Sequence, residues 1–397
     1  MNPVETASPL TERINRIEFS ATLAAATEAD RMKAAGIDLA DFGAGEPHFA
    51  TPAHIKQAGI AAIQNDKTKY TPVGGVRELR DAIRGRHAQD FGSNYAVEEI
   101  AASTGGKQAL FNALQVLVEH GDEVIIPVPY WVSFKDIVRY AGGECVFVDT
   151  DEANGFAMTS SMIERAITSR TRAIILNSPS NPSGAVTSPE DLERIVELAH
   201  ARGIYVISDE CYVYLNYSDR IFSVGSLTGC REHMVIIGSL SKTYSMTGWR
   251  LGYALGPKPI VSAMQKLQGQ STGNPNTISQ MAAIAALTSS QQCIADMRID
   301  YIRLRDLMLA GLQQIPGIAC HRPEGAFYLY PNVSAFFGRD GMSSSEDVAR
   351  RLLHEAHVVT VAGEGFGTHE HIRLSYATSA EVIDKGIQRM GEFFGRL

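Results

Sequence analysis

A chain of 397 residues with 45% hydrophobic and 20% charged side chains is long for one compact core and too apolar for disorder, so two folded domains are expected. Its formal net charge of −8, with no basic run anywhere, excludes the positive field that duplex nucleic acid or an anionic membrane surface demands. The five cysteines are scattered and never form a C-x-x-C pair, which argues against a disulfide framework or structural zinc and for a reducing compartment.

Residues 1–10 carry Glu5 and two prolines but no apolar stretch, so no signal peptide is expected there. The apolar runs at 173–176 and 281–287 are too short to span a bilayer, and the expected location is the cytoplasm. From about residue 100 the pattern alternates. Residues 107–119 have helical apolar spacing (Leu110, Phe111, Leu114, Leu117, Val118) and end near Gly121, a candidate C-cap. Short apolar runs at 123–127, 145–148, 173–176, 204–207 and 235–237 suit strands buried on both faces. Ser188, Pro189 and Asp191 open a helix whose stripe is Leu192, Ile195, Val196 and Ala199, closed by Gly203. Strand and helix in alternation predict an α/β fold: a mostly parallel central sheet flanked by helices, with ligands bound beyond the carboxyl ends of the strands. After about residue 290 the pattern becomes α+β. A long helix at 290–312 precedes short strands at 326–330 and 371–376 and a closing helix, which predicts a second, smaller domain.

The stretch richest in chemistry is Gly238-Ser-Leu-Ser-Lys-Thr-Tyr-Ser-Met-Thr-Gly-Trp-Arg250, directly after a predicted strand. A lysine there, Lys242, is placed to form a Schiff base, while Ser239, Ser241 and Arg250 can hold a phosphate. A lone lysine in a loop is otherwise just a solvated side chain; the small hydroxyl residues and the arginine give it a purpose. In Ser208-Asp209-Glu210-Cys211-Tyr212, again at a strand end, Asp209 can keep a pyridine nitrogen protonated and Tyr212 can reach a ring hydroxyl. Read alone, Asp209 would serve equally as a helix cap or metal ligand. Asn177-Ser-Pro-Ser-Asn-Pro-Ser-Gly184 is a rigid loop that presents Asn181. Thr104-Gly-Gly-Lys107 opens a helix and makes a weak anion site. Trp131 could stack on an aromatic ring, although core packing is the commoner fate of a tryptophan. His354-x-x-His357 and His369-x-His371 have metal-ligand spacing but no third ligand nearby, so a solvated helix face and a strand edge are expected, and no metal.

Taken in order and spacing, these segments resemble the class I, fold-type I aminotransferases that depend on pyridoxal 5′-phosphate, most closely the bacterial aspartate aminotransferases of the thermophile and rhizobial type. The resemblance runs from Ser20-Ala-Thr22 through Gly43-Ala-Gly-Glu-Pro47, Lys69-Tyr-Thr-Pro72, Gly105-Gly-Lys107 and Pro129-Tyr-Trp-Val-Ser133 to His371-Ile-Arg-Leu-Ser-Tyr-Ala-Thr-Ser379. It implies that Lys242 is the Schiff-base lysine and general acid/base, that Asp209 pairs the ring nitrogen, and that Asn181 and Tyr212 hold the ring oxygen beneath Trp131. Gly105, Gly106, Lys107, Ser239, Ser241 and Arg250 would hold the phosphate, joined by Tyr70 of a neighbouring subunit in a homodimer whose active sites lie at the interface. Arg373 would clamp the substrate α-carboxylate, with Gly45, Trp131 and Asn181 beside it. The resemblance also implies a large cofactor domain at 53–295 and a small one made of 1–52 and 296–397, closing over an amino acid or a 2-oxo acid.

One branch of that family reads a second carboxylate with an arginine before the small domain, yet residues 268–295 contain no Lys or Arg. The branch resembled here uses the positions of Lys107, Ser20 and Thr22, which points to an acidic donor, aspartate with 2-oxoglutarate. Two positions depart from that branch: Glu18 and His48 stand where relatives have Lys and Asp, and a Glu18 carboxylate near the site would repel an acidic substrate. The alternatives are an aminotransferase for aromatic or neutral amino acids, or a lyase or cyclase on the same fold. A silent ligand-sensing regulator is disfavoured by the intact Lys242 and the absence of a basic N-terminal extension.

Overall fold

The computed structural model describes residues 10–18, 21–218 and 220–397, at 21–25 as backbone only. Twelve strands occur among them. They are β1 (Ala40–Asp41), β2 (Ile100–Ser103), β3 (Glu123–Val128), β4 (Glu144–Asp149), β5 (Thr171–Asn177), β6 (Tyr205–Asp209), β7 (Met234–Ser239), β8 (Gly252–Leu255), β9 (Tyr328–Leu329), β10 (Val358–Val359), β11 (Val361–Ala362) and β12 (Ile372–Ser375). Seven of them form one sheet in the order β2-β8-β7-β6-β5-β3-β4, parallel throughout except for β8, which runs against both its neighbours. The fold is therefore α/β, as the alternating pattern predicts.

Alternate side chains of each central strand go to opposite faces, and both faces are buried. In β5, Ala173 and Ile175 pack with Leu110 and Leu114 of the helix Gly106–Leu117, while Ile174 and Leu176 pack with Leu192 and Ile195 of the helix Pro189–Ala201. This two-sided burial explains why the strands read as unbroken apolar runs. Ser188 caps the second helix as expected, its Oγ accepting from the Asp191 N–H at 3.0 Å. The first helix stops at Leu117, short of the predicted end. Val118 is already extended, and Gly121, at φ +94°, serves the turn into β3 rather than a helix cap.

A further core joins Ala40 and Phe42 to the long helix Gln292–Leu312, the helices Ser345–Glu355 and Ala380–Phe394, and the strands β9 and β12. Around it β11, β12 and β9 form an antiparallel sheet, and β1 pairs with β10. The strand expected at 326–330 is only two residues long, because Ala326 adopts a left-handed conformation (φ +56°) that breaks extended pairing. No helix among the described residues is long and apolar enough to cross a membrane.

Candidate active site

Three adjacent parallel strands end at one edge of the large sheet. The register sets Asn177 of β5 beside Asp209 of β6, and Asp209 beside Ile237 of β7, so the residues just beyond those strands converge. Asn177 ties the edge together: its Nδ2 donates to the Asp209 carbonyl at 3.1 Å, and its Oδ1 accepts from the Asn181 N–H at 3.0 Å. The next loop is thereby pinned with Asn181 facing the edge.

Directly after β7 comes the short helix Leu240–Thr243, capped by the Ser239 Oγ, which accepts from the Ser241 N–H at 3.2 Å. Lys242 sits in that helix and its Nζ donates to the Gly45 carbonyl. Burial pushes its pKa down to about 8, helped by the charges of Arg373 and Arg250. Asp209 is 5% exposed and its Oδ1 accepts from the Cys211 N–H at 3.1 Å. Burial raises its pKa, and no lysine or arginine among the described residues pairs with it. An uncompensated buried carboxylate is costly, and a cationic ligand group would relieve that cost.

The helix Gly106–Leu117 points its N-terminus at the same place, where the first N–H groups have no intrahelical acceptor. A Cβ on Gly105 (φ +84°) would run into the Arg250 guanidinium, and one on Gly106 would lie 3.1 Å from the Cys211 sulfur. Glycine is required there for Arg250 and the strand ends to close around the helix start. Arg250 donates from Nη1 to the Thr247 carbonyl at 2.9 Å, which holds its guanidinium toward that start.

Arg373, on β12, closes the other side. It is 3% exposed, donates from Nη1 to Asn181 Oδ1 at 3.1 Å and from Nη2 to the Gly43 carbonyl at 2.9 Å, and leaves its buried Nε without a partner. Its guanidinium carbon stands 4.5 Å from the ring centre of Tyr328 on β9. The Tyr328 hydroxyl meets the Tyr212 hydroxyl at 2.8 Å. That meeting follows from backbone pairing between distant segments: Ala326 N–H donates to the Leu215 carbonyl at 2.9 Å and Tyr217 N–H to the Glu324 carbonyl at 2.8 Å. Together these walls enclose a cavity of about 510 Å³.

Most of the residues singled out from sequence meet there. Gly45, Gly106, Lys107 and Trp131 line the cavity, as do Asn181, Asp209 and Tyr212, Ser239 at the end of β7, Ser241, Lys242 and Arg250 in the segment after it, and Arg373 on β12. Gly105 stands just behind, as the residue before the helix. Lys107 Nζ lies 4.8 Å over the Trp131 ring. Tyr70 does not reach the cavity of its own chain; it is 98% exposed. Ser20 lies outside the described residues, and Thr22 is placed only as backbone in the helix Ala21–Ala34. Glu18 is turned outward and paired with Lys135 at 2.6 Å, so its charge is met away from the cavity. His48 lies near Asp300 at 3.5 Å, in a ring cluster with Phe49 and Tyr301. His371 directly precedes β12, buried against Tyr330 and Phe156, and no metal-binding cluster exists among the described residues. Sequence reasoning passed over Cys211, Thr247 and Tyr328 as lining residues. The first two lie inside motifs it had quoted, while nothing local marks Tyr328.

A buried lysine of depressed pKa, an unpaired buried acid and a helix N-terminus beside an arginine define the site of an enzyme that works through a bound anionic cofactor with a cationic ring. The family model for aminotransferase class I and II matches residues 37–390. The aspartate aminotransferase of Geobacillus stearothermophilus is 43% identical over 97% of this chain and 98% of its own length. Among solved structures, the Thermus thermophilus aspartate aminotransferase with maleate superposes with a TM-score of 0.92 at 41% identity, covering 96% of this chain and 99% of that one. The Rhizobium meliloti aspartate aminotransferase gives 0.93 at 38% identity, covering 98% and 99%. The chain belongs to the class I and II aminotransferase family. It is a fold-type I enzyme that uses pyridoxal 5′-phosphate to move an amino group between an amino acid and a 2-oxo acid.

Proposed function

We propose that the chain transaminates acidic amino acids, aspartate with 2-oxoglutarate, in the cavity between the large sheet and the β9–β12 wall. The cofactor fits the residues present. Asp209, buried and without a cation, suits a pyridinium nitrogen; the glycine-lined helix start with Ser239, Ser241 and Arg250 suits a phosphate; Asn181 and Tyr212 suit a ring oxygen beside Trp131. When bound, pyridoxal 5′-phosphate supplies a carbonyl carbon for the amine and a ring that draws electrons from Cα.

The chain's own residues then divide the work. Lys242 would hold the cofactor through Nζ and, once displaced by the substrate amine, would take the Cα proton and return it to the former aldehyde carbon. Its depressed pKa leaves a useful fraction neutral near pH 7–8, which a base requires. Arg373 grips the α-carboxylate, already oriented by Asn181 and the Gly43 carbonyl.

The observation that carries the acidic specificity is Lys107. It lines the cavity without an acidic partner among the described residues, and burial together with Arg250 lowers its pKa. A second substrate carboxylate would meet that charge, and Glu18, held by Lys135, does not oppose it. Ser20 and Thr22 are assigned to the same end of the substrate. Maleate, held by the Thermus relative, is likewise a dicarboxylate. A panel of donors offered to the purified holoenzyme tests the reading, followed by Lys107→Ser. The variant should lose efficiency for aspartate much more than for phenylalanine; equal losses, or a wild type that prefers neutral or aromatic donors, would overturn it.

We assign residues 53–295 to a large cofactor domain and 1–52 with 296–397 to a small one that closes over the substrate. The fully exposed Tyr70 supports a homodimer in which it reaches the partner's phosphate site. Free cysteines and the absence of a long apolar helix among the described residues are compatible with the cytoplasm.

A further inference from the structure

Tyr328 belongs to none of the motifs that mark the site, yet it touches both of its halves. Its ring lies under the guanidinium of Arg373, with 4.5 Å from Cζ to the ring centre, and its hydroxyl is 2.8 Å from that of Tyr212. It is 1% exposed, lines the cavity, and is held on β9 by pairing with Ser375 of β12, the strand that carries Arg373. Space around it is tight: a Cβ on Gly45 would come within 3.1 Å of the Tyr328 hydroxyl. Glycine at position 45 leaves room for that hydroxyl.

We infer that Tyr328 is a positioning residue that couples the cofactor's ring oxygen, through Tyr212, to the substrate carboxylate, through Arg373. The inference rests on the roles proposed above for Tyr212 and Arg373. Counting protons fixes the direction of the hydroxyl pair. Each phenol has a single O–H. If Tyr212 gives its proton to the ring oxygen, it can only accept from Tyr328, so Tyr328 must be the donor of the pair. A donor that itself accepts a hydrogen bond is polarised and donates more strongly. Burial keeps both phenols protonated, since each hydroxyl has its pKa raised. At the other end, the aromatic face under Arg373 stabilises a guanidinium whose Nε has no hydrogen-bond partner. It also holds the fork flat for a two-point grip on a carboxylate.

Two substitutions separate the two contacts. Tyr328→Phe removes the hydroxyl and keeps the ring; Tyr328→Leu removes both. With a weaker donor at Tyr212, the ring oxygen holds its proton more tightly. The pH at which the bound cofactor's absorbance band titrates should then rise by about half a unit to one unit in Tyr328→Phe. Its KM for the amino acid should stay within about twofold, because the ring under Arg373 remains. Tyr328→Leu should show the same titration shift and, in addition, a KM raised by about 2- to 30-fold, the range of a cation–π contact. A purely structural role would move neither readout selectively. Tyr212→Phe serves as the reference. If Tyr212→Phe moves the titration and Tyr328→Phe does not, the coupling is wrong while the Tyr212 role stands. If Tyr212→Phe moves nothing, the underlying assignment of Tyr212 has failed. An unchanged KM in a folded, cofactor-loaded Tyr328→Leu would remove the Arg373 arm of the inference.

Discussion

Asp209 and Ser239 enter the cavity from the ends of neighbouring parallel strands, whereas Arg373 and Tyr328 enter it from short strands of another sheet. Arg373 reaches a partner 192 residues away, Asn181, and Tyr328 one 116 residues away, Tyr212. The first wall is fixed by sheet register: once β5, β6 and β7 pair, Asn177, Asp209 and Ser239 have no freedom to separate. The second depends on how a different core packs against that edge, through contacts such as the Gly184 carbonyl with the Gly325 N–H at 3.0 Å. One wall is fixed by pairing within a single sheet, and the other is held by contacts between two separate cores. That suits a cofactor held throughout the cycle and a substrate that must enter and leave. The difference can be tested by asking which wall each substitution damages.

The largest effect is expected at Lys242. Lys242→Ala should reduce turnover by about 10²–10⁴-fold or more, the worth of a general acid–base step, with the loss of the cofactor linkage added. Cofactor should still bind through the phosphate and ring contacts, so a spectrum of the loaded variant separates lost chemistry from lost binding. Near-normal turnover would remove Lys242 from the mechanism. Asp209→Ala comes next. Removing one member of a buried ion pair costs about 3–5 kcal/mol, because the other charge is stranded. The variant should bind cofactor more weakly and turn over more slowly, and equilibrium dialysis with steady-state rates would detect both. Unchanged affinity and rate would mean that Asp209 does not face the ring nitrogen.

The same contrast explains what was legible in the sequence. The first wall is written locally: Asp209, Ser239, Lys242 and Arg250 follow apolar runs whose two-sided burial makes them recognisable as parallel strands. The long helix Gln292–Leu312 and the closing helix Ala380–Phe394 were legible for a similar reason, their apolar residues recurring at helical spacing. For Tyr328 a strand was legible but its place in the site was not, because β9 shortens to two residues and its partners come from far along the chain. The exposure of Tyr70 is not written in its local sequence; only the resemblance pointed it toward a neighbouring subunit. Glu18 shows the converse: a charge that looked adverse by position is neutralised by Lys135, 117 residues away.

On the second wall, Arg373→Ala should raise the KM of every amino acid alike, since all carry an α-carboxylate. A hydrogen bond to a charged group is worth about 1.5–3 kcal/mol, which is about 10- to 150-fold. Cofactor affinity should barely change, in contrast with Asp209→Ala. A loss confined to dicarboxylic donors would move Arg373 to the far end of the substrate and exchange its role with that of Lys107.

The smallest effect concerns the cost of the first wall to the cofactor-free protein. Lys242 has its pKa lowered from 10.5 to about 8 by burial, so the folded chain releases a proton that the unfolded chain keeps. Between about pH 8 and 10.5 the unfolded state binds more protons, and stability therefore rises with pH across that window. Below pH 8 the full penalty applies. The pKa difference caps it at about 3 kcal/mol. Lys242→Met fills a similar volume without a charge, so the apo variant should be more stable than apo wild type at pH 7. The gap should close by about pH 10.5. Denaturant midpoints of both cofactor-free proteins at pH 7 and pH 10 measure it. A gap of equal size at both pH values would assign the gain to packing alone, and the strain on the first wall would then lie elsewhere than in the buried lysine.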